Sequence, residues 1–274
     1  MVLSKSERAR LKSTYGPWAI VTGASSGIGR ELAERLAESG LNVLLSARRH
    51  DLLEALASDL KKQYGIDTRV VAADLSEKKG IEQVIAAAED LDVGLLVASA
   101  GYATPGLFIE NQPQEILDVL QVNCTALVML THHFSRLFAG QKRGGIVLMS
   151  SIVAFQGAPY AAHYAATKAY VQSLAEALAL ELQPYGVDVL AAAPAPVHSG
   201  FAERADMVLG NALKPSDIGV PILKALGRKT TVLPGFLTKF LVGSLRTLPR
   251  WGKVRVMKLV MGAMTKHQRA AGKA

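Results

Sequence analysis

Tyr164 and Lys168 stand four residues apart in Tyr-Ala-Ala-Thr-Lys, inside a stretch whose pattern predicts a helix. That spacing puts both side chains on one helix face. A phenol with an ordinary pKa near 10 is a poor proton donor or acceptor at neutral pH. A neighbouring ammonium stabilises the phenolate, lowers that pKa and makes acid–base work possible. The pair alone carries little, because the chain has seven tyrosines. Ser151 strengthens it: it lies 13 residues earlier, at the end of an apolar run, where a hydroxyl could meet a substrate oxygen. Asn123, in Gln-Val-Asn-Cys-Thr, interrupts an apolar helical stretch and is equally well read as a hydrogen-bonded core amide.

A second group of residues would hold an anion. The run Trp18–Thr22 passes directly into Gly23-Ala24-Ser25-Ser26-Gly27-Ile28-Gly29 and then into a helical pattern. Glycines permit a tight turn and let backbone N–H groups approach a pyrophosphate, whose charge also favours a helix N-terminus. The spacing is Gly-x-x-x-Gly-x-Gly, and a purely structural turn is the plain alternative. Its place between a first strand and a helix favours a dinucleotide. The next strand ends Ser46-Ala47-Arg48-Arg49, with no carboxylate until Asp51. A site for NAD usually puts an acid there, against the ribose 2′-hydroxyl. A guanidinium suits a 2′-phosphate. NADP(H) is therefore expected over NAD(H), with Arg48 as the first choice for the contact and Arg49 as the second. The alternative is a solvated arginine pair opening a helix.

These residues need a frame. Apolar, β-branched runs predict strands at Trp18–Thr22, Asn42–Ser46, Thr68–Ala72, Val93–Ser99, Gly145–Ser150, Asp188–Ala193 and Thr230–Leu233. Helical patterns lie between them, at Gly27–Ser39, Asp51–Tyr64, Lys78–Glu89, Pro113–Phe138, Tyr160–Gln183 and Ser216–Leu226. Strands apolar on both faces belong in a parallel sheet covered by helices. The expected fold is α/β: a Rossmann-type, doubly wound parallel sheet of about seven strands flanked by helices. Ligands bind such sheets at the carboxyl ends of the strands, near the topological switch point, and the unusual residues fall there.

In order and spacing, Thr-Gly-x-x-x-Gly-Ile-Gly, Asn123, Ser151, Tyr164 and Lys168 resemble the short-chain dehydrogenases/reductases, over roughly residues 17–233. The resemblance implies an oxidoreductase that moves a hydride between a nicotinamide and a carbonyl or alcohol. Tyr164 would be the acid in reduction or the base in oxidation. Lys168 would lower its pKa and bond the nicotinamide ribose. Ser151 would orient the carbonyl, and Asn123 would hold a water in a proton relay. For the cofactor, the glycine turn (Gly23, Ser25, Ser26, Gly27, Ile28, Gly29) would take the pyrophosphate. Asp74 and Leu75 would meet the adenine. Ser99, Ala100 and Gly101 after the fourth strand, and Pro194, Val197 and Ser199 after the sixth, would complete the site with Tyr164 and Lys168. Two positions depart from the family: Ser99 replaces an asparagine and Ala195 a glycine, and both bear on cofactor geometry. Tyr15-Gly16-Pro17-Trp18-Ala19 resembles the branch holding hydroxysteroid dehydrogenases and 3-oxoacyl reductases, which implies an apolar or lipid-like substrate. The family also implies a homodimer or homotetramer through the Tyr164 helix and its neighbour. The rival from another class is an NADP(H)-binding regulatory or scaffold protein with weak or no turnover; the complete Ser-Tyr-Lys set argues against it.

The 274 residues, half of them apolar, suit a single domain: a core over 17–233, a substrate lid over 199–213 and an extension over 234–274. Cys124 is the only cysteine, so no internal disulfide can form and a cytoplasmic setting fits. It reads as a small buried hydrophobe. His163 and His198 have no partners at metal-ligand spacing, so no metal is expected and both read as polar pocket walls. Residues 1–15 are polar and basic without the apolar core of a secretory signal. No apolar run reaches the roughly 18 residues of a spanning helix.

Residues 1–217 hold 19 Lys and Arg against 23 Asp and Glu, a net −4, whereas residues 218–274 hold 12 Lys and Arg and no acid. In that basic end Phe236–Leu248 and Trp251–Met264 read as amphipathic helices. Such helices could meet an anionic membrane surface, dock on a partner subunit, cover the substrate pocket or pack on the protein's own negative body. Nucleic acid is not expected, because no base-reading motif accompanies the charge.

Overall fold

Each apolar run must pair its backbone and cover both its faces, and the chain meets both demands in one sheet. The computed structural model describes residues 2–208, 210 and 212–271. Seven parallel strands run β1 (Trp18–Thr22), β2 (Asn42–Ala47), β3 (Thr68–Ala72), β4 (Val93–Ala98), β5 (Gly144–Met149), β6 (Val187–Ala192) and β7 (Thr231–Val232). Their spatial order is β3-β2-β1-β4-β5-β6-β7, so the order reverses between β1 and β4. This is the expected doubly wound sheet, with strand ends within two residues of those the sequence pattern predicts.

Alternation along each strand divides the core. Ala19, Val21, Val43, Leu45, Leu95 and Val97 face α2 (Gly27–Glu38), α3 (His50–Tyr64) and α9 (Pro215–Ala225). Ile20, Leu44, Leu96, Ile146 and Leu148 face α4 (Lys78–Ala86), α6 (Leu127–Gln141) and α7 (Ala162–Glu181). A fully buried side chain such as Leu32 or Phe134 contributes about 2 kcal/mol, so both layers bind firmly to the sheet.

Three features differ from the sequence pattern. The polar start forms α1 (Lys5–Tyr15), capped by Ser4, whose hydroxyl accepts from Glu7 N at 3.2 Å. Only Leu11 and Tyr15 of this helix are buried, an i,i+4 pair, and the Tyr15 hydroxyl donates to Asp188 at 2.7 Å. Arg10 donates to the Leu223 and Leu226 carbonyls at 2.9 and 3.0 Å, satisfying acceptors at the end of α9. The stretch expected as one helix over 113–138 is α5 (Pro113–Leu120) and α6, joined by a π-helical turn over Gln121–Ala126. The basic end forms α10 (Phe236–Arg246) and α11 (Arg250–Met264) within two residues of the pattern, but two short helices, α8 (Gly200–Arg204) and α12 (Lys266–Ala271), are not marked by it. Among the described residues no helix is long and apolar enough to cross a membrane.

Candidate active site

At the switch point the chain leaves β1 through the glycine turn and enters α2. Gly23 has φ +68°, and a Cβ there would lie 2.9 Å from Ala100 N; one on Gly29 would lie 2.3 Å from the Gly23 carbonyl oxygen. Only glycine allows the turn to lie this close to its neighbours. Thr22 Oγ1 accepts from the backbone N–H of Ser99 (3.1 Å) and Ala100 (3.2 Å), tying the turn to the end of β4. That tie uses backbone donors, so Ser99 in place of the family's asparagine leaves it intact.

Ser26 stands at the N-cap of α2, yet its side chain makes no capping bond and the first turn holds no acid. The leading N–H groups of α2 therefore remain available to an anion, which fits a dinucleotide pyrophosphate. Arg49 Nη2 donates to Ser25 Oγ and Ser26 Oγ, each at 3.0 Å, which brings its guanidinium onto this turn. Arg48 instead lies 3.9 Å from Asp74. Asp74 Oδ1 accepts from Ser76 N (2.9 Å) and Ser76 Oγ (2.8 Å). Burial opposes its charge, but these bonds, aided by Arg48 and Arg204, hold the carboxyl below its usual value.

Tyr164 and Lys168 face the turn from α7. Lys168 is 5% exposed, donates from Nζ to the Met149 carbonyl at 2.7 Å and lies 5.7 Å from the Tyr164 ring centre. Ser151 lines the cavity with Tyr164, and its hydroxyl accepts from Val153 N at 3.4 Å. Burial pushes the Tyr164 phenol above the ordinary tyrosine value, and the neighbouring Ser151 hydroxyl draws it partly back. Burial lowers the Lys168 ammonium to about 8. In this geometry burial, not the ammonium, dominates the phenol.

Asn123 is fully buried and acts as a brace. Its Nδ2 donates to the Tyr102 carbonyl (3.0 Å) and Thr167 Oγ1 (3.1 Å), and its Oδ1 accepts from Tyr102 N (3.1 Å). Thr167 Oγ1 in turn donates to the Tyr164 carbonyl at 2.8 Å. The π turn thus fixes the loop after β4 against the helix that carries Tyr164 and Lys168.

Apart from Asn123, each residue assigned from the sequence to catalysis or cofactor binding lines one cavity of about 700 Å³. The glycine turn, Arg48, Arg49, Asp74, Leu75, Ser99, Ala100 and Gly101 form one end. Ser151, Tyr164, Lys168, Pro194, Val197 and Ser199 line it as well.

Residues 17–207 match the sequence profile of the short chain dehydrogenases. The chain belongs to that family. A 7β-hydroxysteroid dehydrogenase of Mediterraneibacter gnavus is 30% identical over 232 residues, covering 82% of this chain and 88% of the relative. A very-long-chain 3-oxoacyl-CoA reductase of Podospora anserina is 36% identical over 179 residues, 64% of this chain and 53% of the relative, so the match spans about half of that reductase. Among solved structures, a short-chain dehydrogenase of Sphingobium yanoikuyae in complex with NADPH superimposes with a TM-score of 0.78 at 30% identity, covering 86% of this chain and 97% of that one. This short-chain dehydrogenase is therefore a hydride-transfer enzyme acting between alcohols and ketones, with a nicotinamide cofactor. A scaffold without turnover is not favoured.

Other side chains complete the site, Arg204 among them unmarked by the sequence. Phe201 of α8 packs on Tyr164 with ring centres 5.4 Å apart, and the Arg204 guanidinium lies 3.9 Å from the Tyr102 ring centre. Met207 and a wall from α10 and α11 (Leu241, Leu245, Val256, Met257, Met261, Met264) line the same cavity. Of the possibilities for the basic end, its inner faces therefore meet the pocket. Thr238 of α10, fully buried, accepts from Ala195 N at 3.2 Å. Ala195 does not adopt a positive φ, so its Cβ causes no backbone strain there. Of the lid over 199–213, Leu209 and Asn211 lie outside the described residues.

His163 and His198 do not line the cavity: His163 Nε2 bonds the Ile116 carbonyl at 2.7 Å, and His198 is exposed. Burial pushes the Cys124 thiol up, away from nucleophilic thiolate. Among the described residues no group of acids, histidines and cysteine could hold a metal ion.

Proposed function

We propose that this enzyme is an NADP(H)-preferring reductase of bulky, apolar ketones, with Ser151, Tyr164 and Lys168 as its catalytic residues. The observation that carries the proposal is the meeting of these three side chains and the glycine turn in one cavity whose far wall is methionine-rich. When bound, the cofactor supplies the hydride to the carbonyl carbon or takes it back in oxidation. Ser151 and Tyr164 hold the substrate oxygen between their hydroxyls. Tyr164 gives that oxygen its proton; an alkoxide is a far stronger base than a phenolate, so a raised phenol pKa does not block the transfer. Ser151 steadies the developing negative charge. Lys168 places its positive charge beneath the ring, while Asn123 positions the loop and helix that frame the site.

The cofactor preference is supported by Arg49 on the phosphate-binding turn, with Arg48 beside it. Substrate class is supported by Met207, Met257, Met261 and Met264, flexible and polarizable side chains that adapt to an irregular apolar surface. In this proposal residues 17–233 are the core, 199–213 the lid, and 234–274 a wall of the pocket rather than a separate unit. NADPH oxidation with a panel of ketones tests it. Bulky polycyclic ketones should be reduced and acetone-sized ones left nearly untouched; indifference to size would refute the substrate class.

A pH dependence follows from Lys168. Its ammonium is present below about 8 and is lost as pH rises through that value. Tyr164, pushed up by burial, stays a neutral phenol throughout this range. Reduction, measured as kcat/KM, should be level near neutrality and fall above pH 8. A profile still level well above that pH would contradict the role given to Lys168.

We also infer a homodimer or homotetramer through α6 and α7. An apolar groove of about 370 Å³ runs between them, lined by Val128, Leu174, Leu178, Leu182 and Tyr185. Thr131 and Ser135 border it with buried hydroxyls that have no hydrogen-bond partner among the described residues. Light scattering should give a mass of two or four chains, lowered by Leu178→Arg; a wild-type mass of one chain would exclude the interface. Peripheral contact of residues 234–274 with a membrane is supported by their charge, +9 without a single acid.

A further inference from the structure

α10 and α11 are apolar on two faces at once, and one of those faces has no partner among the described residues. Their inner faces line the cavity. Outward on α10, Phe236, Lys239 and Phe240 share one face at i, i+3 and i+4; the two rings stack with centres 6.4 Å apart and stand 83% and 60% exposed. On α11, Trp251, Arg255, Lys258 and Leu259 fall within one arc, with the tryptophan 63% and Leu259 76% exposed. The Arg255 guanidinium lies 4.9 Å from the Trp251 ring centre. An ordinary surface helix turns its apolar stripe inward and its charges outward. Here the outward faces interleave aromatic and aliphatic side chains with cations only, which is the composition of a helix lying in an anionic lipid interface. Ser244 of α10 and Val260 of α11 line the cavity and are also exposed, so the cavity comes to the surface at this helix pair.

We infer that α10 and α11 seat on an anionic phospholipid surface and admit an apolar ketone from the bilayer into the cavity between them. The inference takes the chain to be a reductase of apolar ketones and adds the route by which the substrate arrives. Charge and exposure select the occupant: a lipid surface accepts cations and large apolar side chains together, with the phosphates meeting Lys239, Arg255 and Lys258 while Phe236, Phe240, Trp251 and Leu259 enter the headgroup boundary. A nucleic acid would engage the cations and leave the phenylalanine pair and Leu259 in water.

Full-length protein is sedimented with vesicles of phosphatidylcholine with and without phosphatidylserine. In parallel, reduction is measured for a water-soluble ketone and for a polycyclic ketone dissolved in the vesicles. The comparison is a variant altered only on the outward faces, Phe236→Ser/Phe240→Ser/Arg255→Glu/Lys258→Glu, none of which lines the cavity or belongs to the catalytic machinery. The wild type should sediment with the phosphatidylserine vesicles, and high salt should release it. The variant should bind on the order of tenfold or more weakly. It should keep its activity on the soluble ketone and reduce the vesicle-borne ketone on the order of tenfold more slowly. Wild-type protein that stays in solution with phosphatidylserine vesicles would overturn the inference. So would a variant equal to wild type on the vesicle-borne ketone. Because the salt release uses wild type alone, the inference remains testable if the variant does not fold. Failure of wild type to reduce any ketone, soluble or vesicle-borne, would strike the catalytic proposal instead.

Discussion

Tyr164→Phe should lower kcat for ketone reduction by about a thousandfold and leave NADPH affinity nearly unchanged. The substitution removes one oxygen and keeps the ring that packs on Phe201 at 5.4 Å. The contacts of the glycine turn, such as Arg49 on Ser25 and Ser26, do not involve that oxygen, so that end of the cavity keeps them. What is lost is the proton that must reach the substrate oxygen. Burial holds the phenol above its ordinary value, so it reaches neutral pH fully protonated and ready to donate. A variant retaining most of its turnover would remove Tyr164 from the chemistry. One that lost NADPH binding to the same degree would make the residue structural.

Arg49→Ala should weaken NADPH by about fiftyfold and NADH hardly at all, since two charge-assisted bonds to a phosphate are together worth about 2–3 kcal/mol. The corresponding change at Arg48 should cost less. Arg49 already lies on the serine hydroxyls of the turn, at 3.0 Å from each, whereas Arg48 lies 3.9 Å from Asp74 with half its side chain in solvent. The sequence ranks the two the other way, because neighbouring arginines at a strand end are alike in type and spacing. Only the direction each takes on leaving β2 separates them. Binding titrations with both dinucleotides decide the matter. Equal losses for NADPH and NADH, or a larger loss at Arg48, would overturn this ranking.

What was legible in the sequence was local or periodic. β1, β4 and β5 are apolar on both faces, and that pattern alone requires helices above and below a parallel sheet. The glycine turn is legible because steric exclusion at Gly23 and Gly29 leaves few substitutes. Tyr164 and Lys168 are legible because four residues in a helix is one turn. What escaped depends on contacts distant along the chain. α1 buries only Leu11 and Tyr15, too sparse a stripe to stand out in a polar segment. The π turn at Asn123 exists to deliver an amide to Tyr102 and Thr167, and neither partner is near it in sequence. α10 and α11 have the same amphipathic pattern whether their apolar side meets a membrane, a subunit or a pocket. Only the fold shows that Met257 and Met261 lie against Val153 and Ala161. Ala195 gave a sequence-level reason to doubt the loop after β6, yet its backbone avoids positive φ and its N–H is held by Thr238 from 43 residues onward.

In the proposed mechanism Ser151 and Tyr164 hold a carbonyl where a nicotinamide bound on the glycine turn can reach its carbon. Reduction of a bulky apolar ketone with NADPH deuterated at C4 of the nicotinamide is the decisive measurement. The product alcohol should carry deuterium on the carbon that bore the oxygen, formed at a rate that collapses in Tyr164→Phe. An alcohol without deuterium, or one formed equally fast by that variant, would contradict the account.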